Sequence, residues 1–188
     1  ENFSCLWQII FLNKFMSKAT LSFQSQLPIT SDYLLTILEE NRIDFKLYEH
    51  KPLYSVNESK IEQRLIFPLN SNYVHIKNFY LRDKNKNNIL FTCEQDKYID
   101  LKILKEKIKS DRLSFGSPQR LKDYLGVFPG AVSPFCMLNG IKNNVQFFCD
   151  YSLKQFKKIY VHPFVNDRTI CLNVNDLEYF LKKYYVFI

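Results

Sequence analysis

The sequence predicts a single α+β domain in which helices surround a mixed central β-sheet. Three observations predict it. The chain has 188 residues, 46% of them hydrophobic; that suits one ordinary core and is short for two. Only 4 glycines occur, and no Gly-rich, Pro-rich or repetitive tract divides the chain. Segments of strand and helix periodicity follow one another as hairpins and helices, not as a steady βα alternation. This irregular α/β order calls for a sheet of mixed strand direction.

The domain is assigned to residues 31–188, and residues 1–30 to an N-terminal extension of unknown role. The extension contains "CLWQIIFL", an apolar run too short to span a bilayer and without the basic flank of a secretory signal. The sequence begins with Glu, while Met16 is followed by the polar "SKATLSFQSQ". An upstream extension, an expression remnant and a targeting piece all fit.

"ITSDYLLTILEENRI" reads as a helix capped by Thr30 or Ser31, with Leu34, Ile37 and Leu38 on one face. "DFKLYEH" is a short strand. "SVNESKIEQRLIF" is a helix starting near Ser55, with Ile61, Leu65 and Ile66 as its apolar residues. Residues 73–82 form a strand, "DKNKNN" a polar turn and "ILFTCE" the returning strand, so 73–94 is a hairpin. "DLKILKEKIKSD" is a helix with Leu101, Leu104 and Ile108 inward and Lys102, Lys105 and Lys109 as a basic stripe. "SPQRLKDYLG" is a helix with Ser117 as N-cap, Pro118 in the first turn and Gly126 just past the end. "VFPGAVSPF" is a loop. "VQFFCD", "KIYVHP" and "RTICLN" are strands. "NVNDLEYFLKKYY" closes the chain as a helix capped by Asn173, with Leu177, Phe180, Leu181 and Tyr184 on its apolar side.

The net charge of +7 is unevenly placed: 11 Lys/Arg stand against 6 Asp/Glu between Arg82 and Lys122. A local basic excess suits a polyanionic partner, and equally a solvated basic surface. Five cysteines occur, an odd number with no C-x-x-C pair. Reduced thiols in a cytoplasmic setting fit better than a disulfide framework or a zinc knuckle. Phosphate-loop, dinucleotide, zinc-protease and nucleophile-elbow motifs are all missing from the sequence. His50, His75 and His162 lack ligand spacing, so neither a metal nor a cofactor is expected. A thiol–imidazole pair of Cys149 and His162 can be drawn, but five Cys and three His always allow such pairs.

Two features carry chemistry. In "YVHIKNFYLRD", Lys77 and Asn78 stand inside an otherwise apolar strand. An ammonium there either snorkels from an edge strand to water or lines a cleft and holds its charge for an anionic ligand or a developing oxyanion. In "GVFPGAVSPF", Gly130 allows close backbone approach and Pro134 stiffens the far end, so the loop can offer several N–H groups to one acceptor. An ordinary tight connection after a helix reads the same way.

Together, "HIKNFYLRD", "DLK", "LSFGSPQRLKDYLGVFPGAVSPF" and "HPFVNDRT" resemble the prolyl-tRNA synthetase editing-domain superfamily, also called the YbaK family. The resemblance runs from about Ser31 to about Tyr184. Within the superfamily it is strongest to the freestanding ProXp-ala (PrdX-type) group, which removes alanine from mischarged tRNA(Pro). It implies roles position by position. Lys77 and Asn78 match the lysine strand. Gly130, Ala131, Val132 and Ser133 match the catalytic loop, with Pro134 and Phe135 at its end. His162, Pro163 and Asn166 match a substrate-binding H-P-x-x-N segment, and Arg82 a position reading the acceptor end. Lys102, Lys105 and Lys109 would track the acceptor-stem backbone. One departure is Gly140, where an acidic residue is expected after Asn139.

The implied activity is hydrolysis of the aminoacyl ester of mischarged tRNA(Pro), most simply Ala-tRNA(Pro). It needs no cofactor, takes the tRNA(Pro) acceptor stem as partner alone or beside prolyl-tRNA synthetase, and engages no membrane. A monomer or weak dimer is expected. A Cys-tRNA(Pro) or other small-amino-acid deacylase, and a non-catalytic module binding tRNA or a synthetase, are the alternatives.

Overall fold

The computed structural model describes residues 24–53, 56–67, 70–182 and 185–187. Among them the helices are α1 Ser31–Glu40, α2 Val56–Ile66, α3 Leu101–Lys107, α4 Pro118–Leu125, α5 Met137–Gly140 and α6 Val174–Leu181. The strands are β1 Phe45–Glu49, β2 Tyr73–Arg82, β3 Asn88–Glu94, β4 Ser114–Phe115, β5 Gln146–Cys149, β6 Lys158–Val161, β7 Arg168–Asn173 and β8 Tyr185–Phe187. All eight join one sheet in the order β1-β7-β6-β2-β3-β5-β8, with β4 paired to β2. β1/β7, β6/β7, β2/β3 and β2/β4 are antiparallel, whereas β2/β6, β3/β5 and β5/β8 are parallel. The expected mixed sheet with surrounding helices is therefore the fold.

Side-chain alternation divides the sheet into two faces. Val74, Tyr80, Leu90, Ile159, Val161, Ile170 and Leu172 point to the main core, shared with Leu34 and Leu38 of α1, Leu121 and Leu125 of α4, and Leu177 and Leu181 of α6. The opposite face carries two smaller clusters. Phe67, Tyr160 and Cys171 form one, beside the end of α2. Leu81, Ile89, Phe91 and Cys93 form the other, beneath Leu104 of α3 and Ile108, the residue that follows the helix. Lys77 lies between these clusters, on the part of β2 that neither helix covers.

The central strands explain the gap. β2 and β6 pair in parallel over only three positions, ending at His75↔Tyr160. Beyond that point β2 continues with β3, from Ile76↔Glu94 to Arg82↔Asn88, while β6 continues with β7. The sheet thus splits past the carboxyl end of the β2/β6 ladder, the position at which ligands settle in open α/β sheets.

Local signals hold at most element ends. The Thr30 hydroxyl accepts from Tyr33 N at 3.1 Å, and the Ser117 hydroxyl from Arg120 N at 3.3 Å. Gly126 closes α4 at φ 73°. Asn173 precedes α6 but donates to Asp176 Oδ2 at 2.7 Å instead of capping the backbone. The loop after α4 ends in a 3₁₀ turn, Pro134–Cys136, that runs into α5. Gly140 accounts for the missing acidic residue: a Cβ there would press on Leu125 Cδ2 and Met137 Sδ at 3.1 Å each.

Ile61 and Leu65, two of the apolar residues of α2, are 62% and 76% exposed. Two sequence readings change. Lys109 does not extend the basic face of α3: the helix ends at Lys107, and Lys109 turns left-handed at φ 54°. β4 and β8 were not expected, because two- and three-residue strands leave no periodicity to read. Ser55 and Tyr184 lie outside the described residues. Before α1, Leu27 is buried in the main core and Pro28 packs on Gly126.

That packing gives a test. A Cβ at Gly126 would meet Pro28 Cγ at 2.5 Å on a left-handed backbone. Gly126→Ala is expected to lower stability by about 1–3 kcal/mol, read as a shift in the urea midpoint at constant m-value.

Candidate active site

The split in the sheet opens into a cavity of about 220 Å³. β2 supplies His75, Ile76, Lys77 and Asn78, the end of β6 supplies Val161 and His162, and the loop after α4 supplies Gly130 and Val132. Leu53 and Thr169 line one side, and Ser59, Gln63 and Phe67 the side formed by α2.

Lys77 is held rather than free. Its ammonium donates to the Lys97 carbonyl oxygen and lies 5.7 Å from the Phe79 ring centroid. The segment bearing that carbonyl is itself anchored. Lys97 Nζ pairs with Asp150 Oδ2 at 2.6 Å, while Asp150 Oδ1 accepts from Ser152 N at 2.9 Å and Ser152 Oγ at 2.6 Å. Burial acts to raise the Asp150 carboxyl, but the hydrogen bonds from Lys97 and Ser152 outweigh it and hold it below the usual carboxylate range. Lys77 is thereby aimed by a relay from Asp150 through Lys97.

Asn78 is a strut. Its Nδ2 donates to the Val132 carbonyl at 2.8 Å, and its Oδ1 accepts from Thr92 Oγ1 at 2.7 Å. Thr92 is fully buried on β3. The residue beside Lys77 therefore ties the loop to the sheet.

Within the loop, Gly130 adopts φ 88°, and a Cβ there would meet Leu53 O at 3.3 Å and Asn166 Nδ2 at 3.4 Å. Both facts favour glycine. The four loop amides are not equivalent. Ala131 N donates to Phe128 O at 3.1 Å, and Ser133 N to Cys136 Sγ at 3.3 Å. Among the described residues no acceptor takes the N–H of Gly130 or of Val132. These two donors, both from residues lining the cavity, are uncommitted among the described residues. Ser133, Pro134 and Phe135 are buried beneath the loop and support it from below.

Asn166 pins the far wall: it donates from Nδ2 to Leu53 O at 3.0 Å and accepts from Leu53 N on its own carbonyl at 3.0 Å. His162 donates Nδ1–H to the Arg168 carbonyl at 2.7 Å, which leaves Nε2 as an acceptor.

His75 and His162 line this cavity and His50 stands next to His162, a grouping the sequence spacing hid. The His50 and His162 ring centroids are 6.0 Å apart, and His50 Nε2 lies 2.9 Å from the Thr169 hydroxyl. His75 stacks on Tyr160, with centroids 4.3 Å apart and planes at 11°. Burial, then the His162 charge, pushes His75 down to about 4. Burial pushes His162 to about 4 as well, against the pull of the Arg168 carbonyl. Both rings are neutral near pH 7. The alternating pattern of "YVHIKNFY" places His75 on the face of Lys77, so that one neighbour was readable.

Other expected residues lie elsewhere. Arg82 is five residues beyond Lys77 on the same strand, roughly 17 Å away and on the opposite face. Its Nε is buried without a partner among the described residues. Lys102 and Lys105 sit on α3, outside the cavity, and Lys105 pairs with Glu106 at 3.0 Å. Cys149 packs with Phe147, Leu153 and Leu177 in the main core, where burial raises its thiol far above the nucleophilic range. That removes it as a partner for His162. No described group of three or more His, Cys, Asp or Glu could hold a metal ion.

The profile of the aminoacyl-tRNA editing domain family matches residues 60–180. The chain belongs to this family. It is 40% identical over 147 residues to a prolyl-tRNA editing protein of Acetoanaerobium sticklandii, covering 77% of this chain and 86% of that one. It is 26% identical over 155 residues to prolyl-tRNA synthetase associated domain-containing protein 1 of Xenopus laevis, covering 80% and 89%. A crystal structure described as a candidate trans-editing enzyme for prolyl-tRNA synthetase superimposes with TM-score 0.61 at 13% identity, over 83% of this chain and 94% of that one. That last likeness shows the fold. Membership in the family makes this chain an aminoacyl-tRNA hydrolase. Among the described residues no helix is long and apolar enough to cross a membrane.

Two tests follow from the geometry. Thr92→Val removes the donor to Asn78 Oδ1, a half-buried acceptor, at a cost of about 0.5–1.5 kcal/mol; thermal unfolding reads it. The second concerns pH. His75 and His162 titrate near 4 when folded, against 6.5 unfolded. The unfolded chain therefore takes up protons first as pH falls, and stability drops progressively from about pH 6.5 to about pH 4. His75→Phe keeps a ring on Tyr160 and should flatten that slope in melts between pH 7.5 and 4.5.

Proposed function

We propose that the chain hydrolyses the ester linking an amino acid to the 3′ end of tRNA(Pro), acting in trans on the mischarged product, with alanine as the amino acid removed. One observation carries the reading: Lys77 and the two uncommitted amides, of Gly130 and Val132, line the same small cavity. A cation and two N–H donors around one volume suit a carbonyl oxygen that gains negative charge as water attacks it. Each such donor contributes about 3–4 kcal/mol in favourable sites. The name of the 40%-identical relative supports prolyl-tRNA as the carrier.

In this reading water adds to the ester carbonyl, and the tetrahedral oxyanion rests on the Gly130 and Val132 amides. The C–O bond to the ribose then breaks as the proton given up by the attacking water passes, through the vicinal hydroxyl, to the leaving ribose oxygen, giving the free amino acid and the 3′-hydroxyl. Lys77, held by the Lys97 carbonyl, balances the charge of the terminal phosphate or of the oxyanion. Neutral His162 offers Nε2 to the substrate's α-ammonium. An aminoacyl ester is already activated, so aligned water assisted by the vicinal ribose hydroxyl suffices without a protein base.

Leu53, Ile76, Val132 and Val161 give the cavity an apolar wall, which suits a methyl side chain. Such a site acts as a second sieve. A synthetase pocket rejects a smaller side chain by only about 1–3 kcal/mol per methylene, and a second, smaller pocket removes what passes while sparing proline. Lys102 and Lys105 on α3, Lys109 beyond it and Arg82 at the far end of β2 would meet the acceptor stem, not the terminal ester.

The test is release of labelled amino acid from Ala-tRNA(Pro), with Pro-, Cys- and Ser-tRNA(Pro) alongside. Alanine is expected to be released and proline retained, and Lys77→Ala to slow release by about 10²–10³-fold. Rapid cysteine release with alanine untouched would overturn the choice of alanine. An unaltered rate in Lys77→Ala would remove the lysine from the chemistry.

A further inference from the structure

His50 follows the last residue of β1 and is not among the residues that line the cavity, yet its ring is hydrogen-bonded to one that does, Thr169. We propose that His50 is a positioning residue: through the Thr169 hydroxyl it holds the cavity wall of Thr169 and His162 as acceptors only, ready for the α-ammonium of the aminoacyl ester. The proposal rests on the deacylase reading. It adds a residue outside the cavity and a second acceptor inside it.

The direction of each hydrogen follows from the two ends of this chain. His50 Nδ1 stands 2.8 Å from the Lys51 carbonyl oxygen. A carbonyl only accepts, so Nδ1 carries the hydrogen and Nε2 the lone pair. Burial pushes the ring below the usual histidine range, against the pull of the Lys51 carbonyl and of Asp167, so His50 is neutral near pH 7. Its Nε2 lies 2.9 Å from Thr169 Oγ1, and the hydrogen between them is the hydroxyl's own. Thr169 therefore donates to His50. At the other end, His162 Nδ1–H donates to the Arg168 carbonyl at 2.7 Å. Thr169 Oγ1, 3.4 Å from the same nitrogen, takes a weaker share of that hydrogen. The hydrogens thus run one way, from His162 through Thr169 and His50 to Lys51.

A hydroxyl has one hydrogen and two acceptor lone pairs. With its hydrogen committed to His50, Thr169 can only accept, and so can His162 Nε2. Thr169 is buried, so little water competes for its hydroxyl. The residues around the cavity then offer donors at Lys77, Gly130 and Val132 and acceptors at Thr169 and His162. An aminoacyl ester has the matching polarity: a carbonyl oxygen that gains negative charge and, on the next carbon, an ammonium that donates. His50 is itself pinned. Its backbone N–H donates to the Asp167 carbonyl at 2.9 Å, and its ring centroid lies 6.0 Å from that of His162. The hydroxyl is therefore oriented before substrate arrives, as preorganised electrostatics requires.

The test compares alanyl-tRNA(Pro) with lactyl-tRNA(Pro), in which a hydroxyl of similar size replaces the α-ammonium. His50→Phe keeps a ring and removes the acceptor. The freed Thr169 hydroxyl can then donate toward the ligand, which opposes an ammonium and suits a hydroxyl. This variant is expected to lose about tenfold in its preference for alanyl over lactyl, the effect of roughly one hydrogen bond to a charged group. The change should fall on KM more than on kcat, because the ammonium is bound alike before and during the reaction. His50→Gln presents an amide oxygen to the same hydroxyl and is expected to restore the preference. In Thr169→Val, which lacks the hydroxyl, adding His50→Phe should change the preference no further. Equal slowing of both substrates in His50→Phe would reveal a purely structural role and overturn the proposal, as would a further loss of preference in the Thr169→Val background. Nitrogen NMR of the unaltered protein near pH 7 gives an arm independent of turnover: His50 and His162 are both expected with hydrogen on Nδ1 and none on Nε2. A hydrogen on His50 Nε2 would overturn the proposal and leave the deacylase reading intact. Absence of alanyl-tRNA(Pro) deacylation by the unaltered protein would overturn both.

Discussion

The short parallel ladder between β2 and β6 is the constraint on which the site depends. Three paired positions hold the two halves of the sheet together, and their release after His75 and Tyr160 makes the cavity. Had the ladder continued, the backbone of Lys77 would be paired on both sides. Because it stops, β2 presents Ile76, Lys77 and Asn78 to the same space as Val161 and His162 from β6. A buried split of this kind leaves backbone and side-chain polar groups to be satisfied. The protein does so from outside the ladder, with the loop after α4 and the segment after β3.

Those two segments are fixed by unlike means. The loop is tied from below by buried Ser133, Pro134 and Phe135 and from the side by Asn78. The segment after β3 is tied by charge, through Lys97 and Asp150. Each therefore enters the site already ordered. Catalysis by fixed dipoles needs that preorganisation, because a donor that must first be reoriented returns part of its advantage as reorganisation. The lysine that stood out in an apolar strand is explained the same way: its ammonium lies over the Phe79 ring and is held by a carbonyl on a segment that is itself held.

Histidine shows how tertiary context sets chemistry. Three rings from positions 50, 75 and 162 meet at one end of the sheet, yet they do not make a metal-binding group or a charged cluster. Burial keeps His75 and His162 neutral, helped by repulsion from His162 on His75 and from His50 on His162. One nitrogen of His162 is committed to a backbone carbonyl, and the other is left as an acceptor. Such rings supply shape, stacking and acceptors at neutral pH, which suits a site whose positive charge comes from lysine.

Much of this protein was determined by the sequence alone. Period-2 and period-3.6 patterns, with Ser117, Pro118 and Gly126 as punctuation, gave the order of nearly all the longer elements and the mixed sheet. The joined motifs around Lys77 and Gly130 pointed to the editing family before any geometry. Alternation within β2 also placed His75 beside Lys77. The tertiary structure decided the rest. Strand order brought His162 to Lys77 across 85 residues of chain, and no local pattern encodes that distance. Hydrogen-bond accounting separated the uncommitted loop amides from those used within the turn. It also made Asn78 a strut, where its neighbour suggested chemistry. Lys109 left the basic stripe because α3 ends two residues before it, and helix ends are set by capping and packing more than by periodicity. The sequence carries what neighbours along the chain impose on each other; the cavity is made by residues that become neighbours only when the sheet closes and then parts.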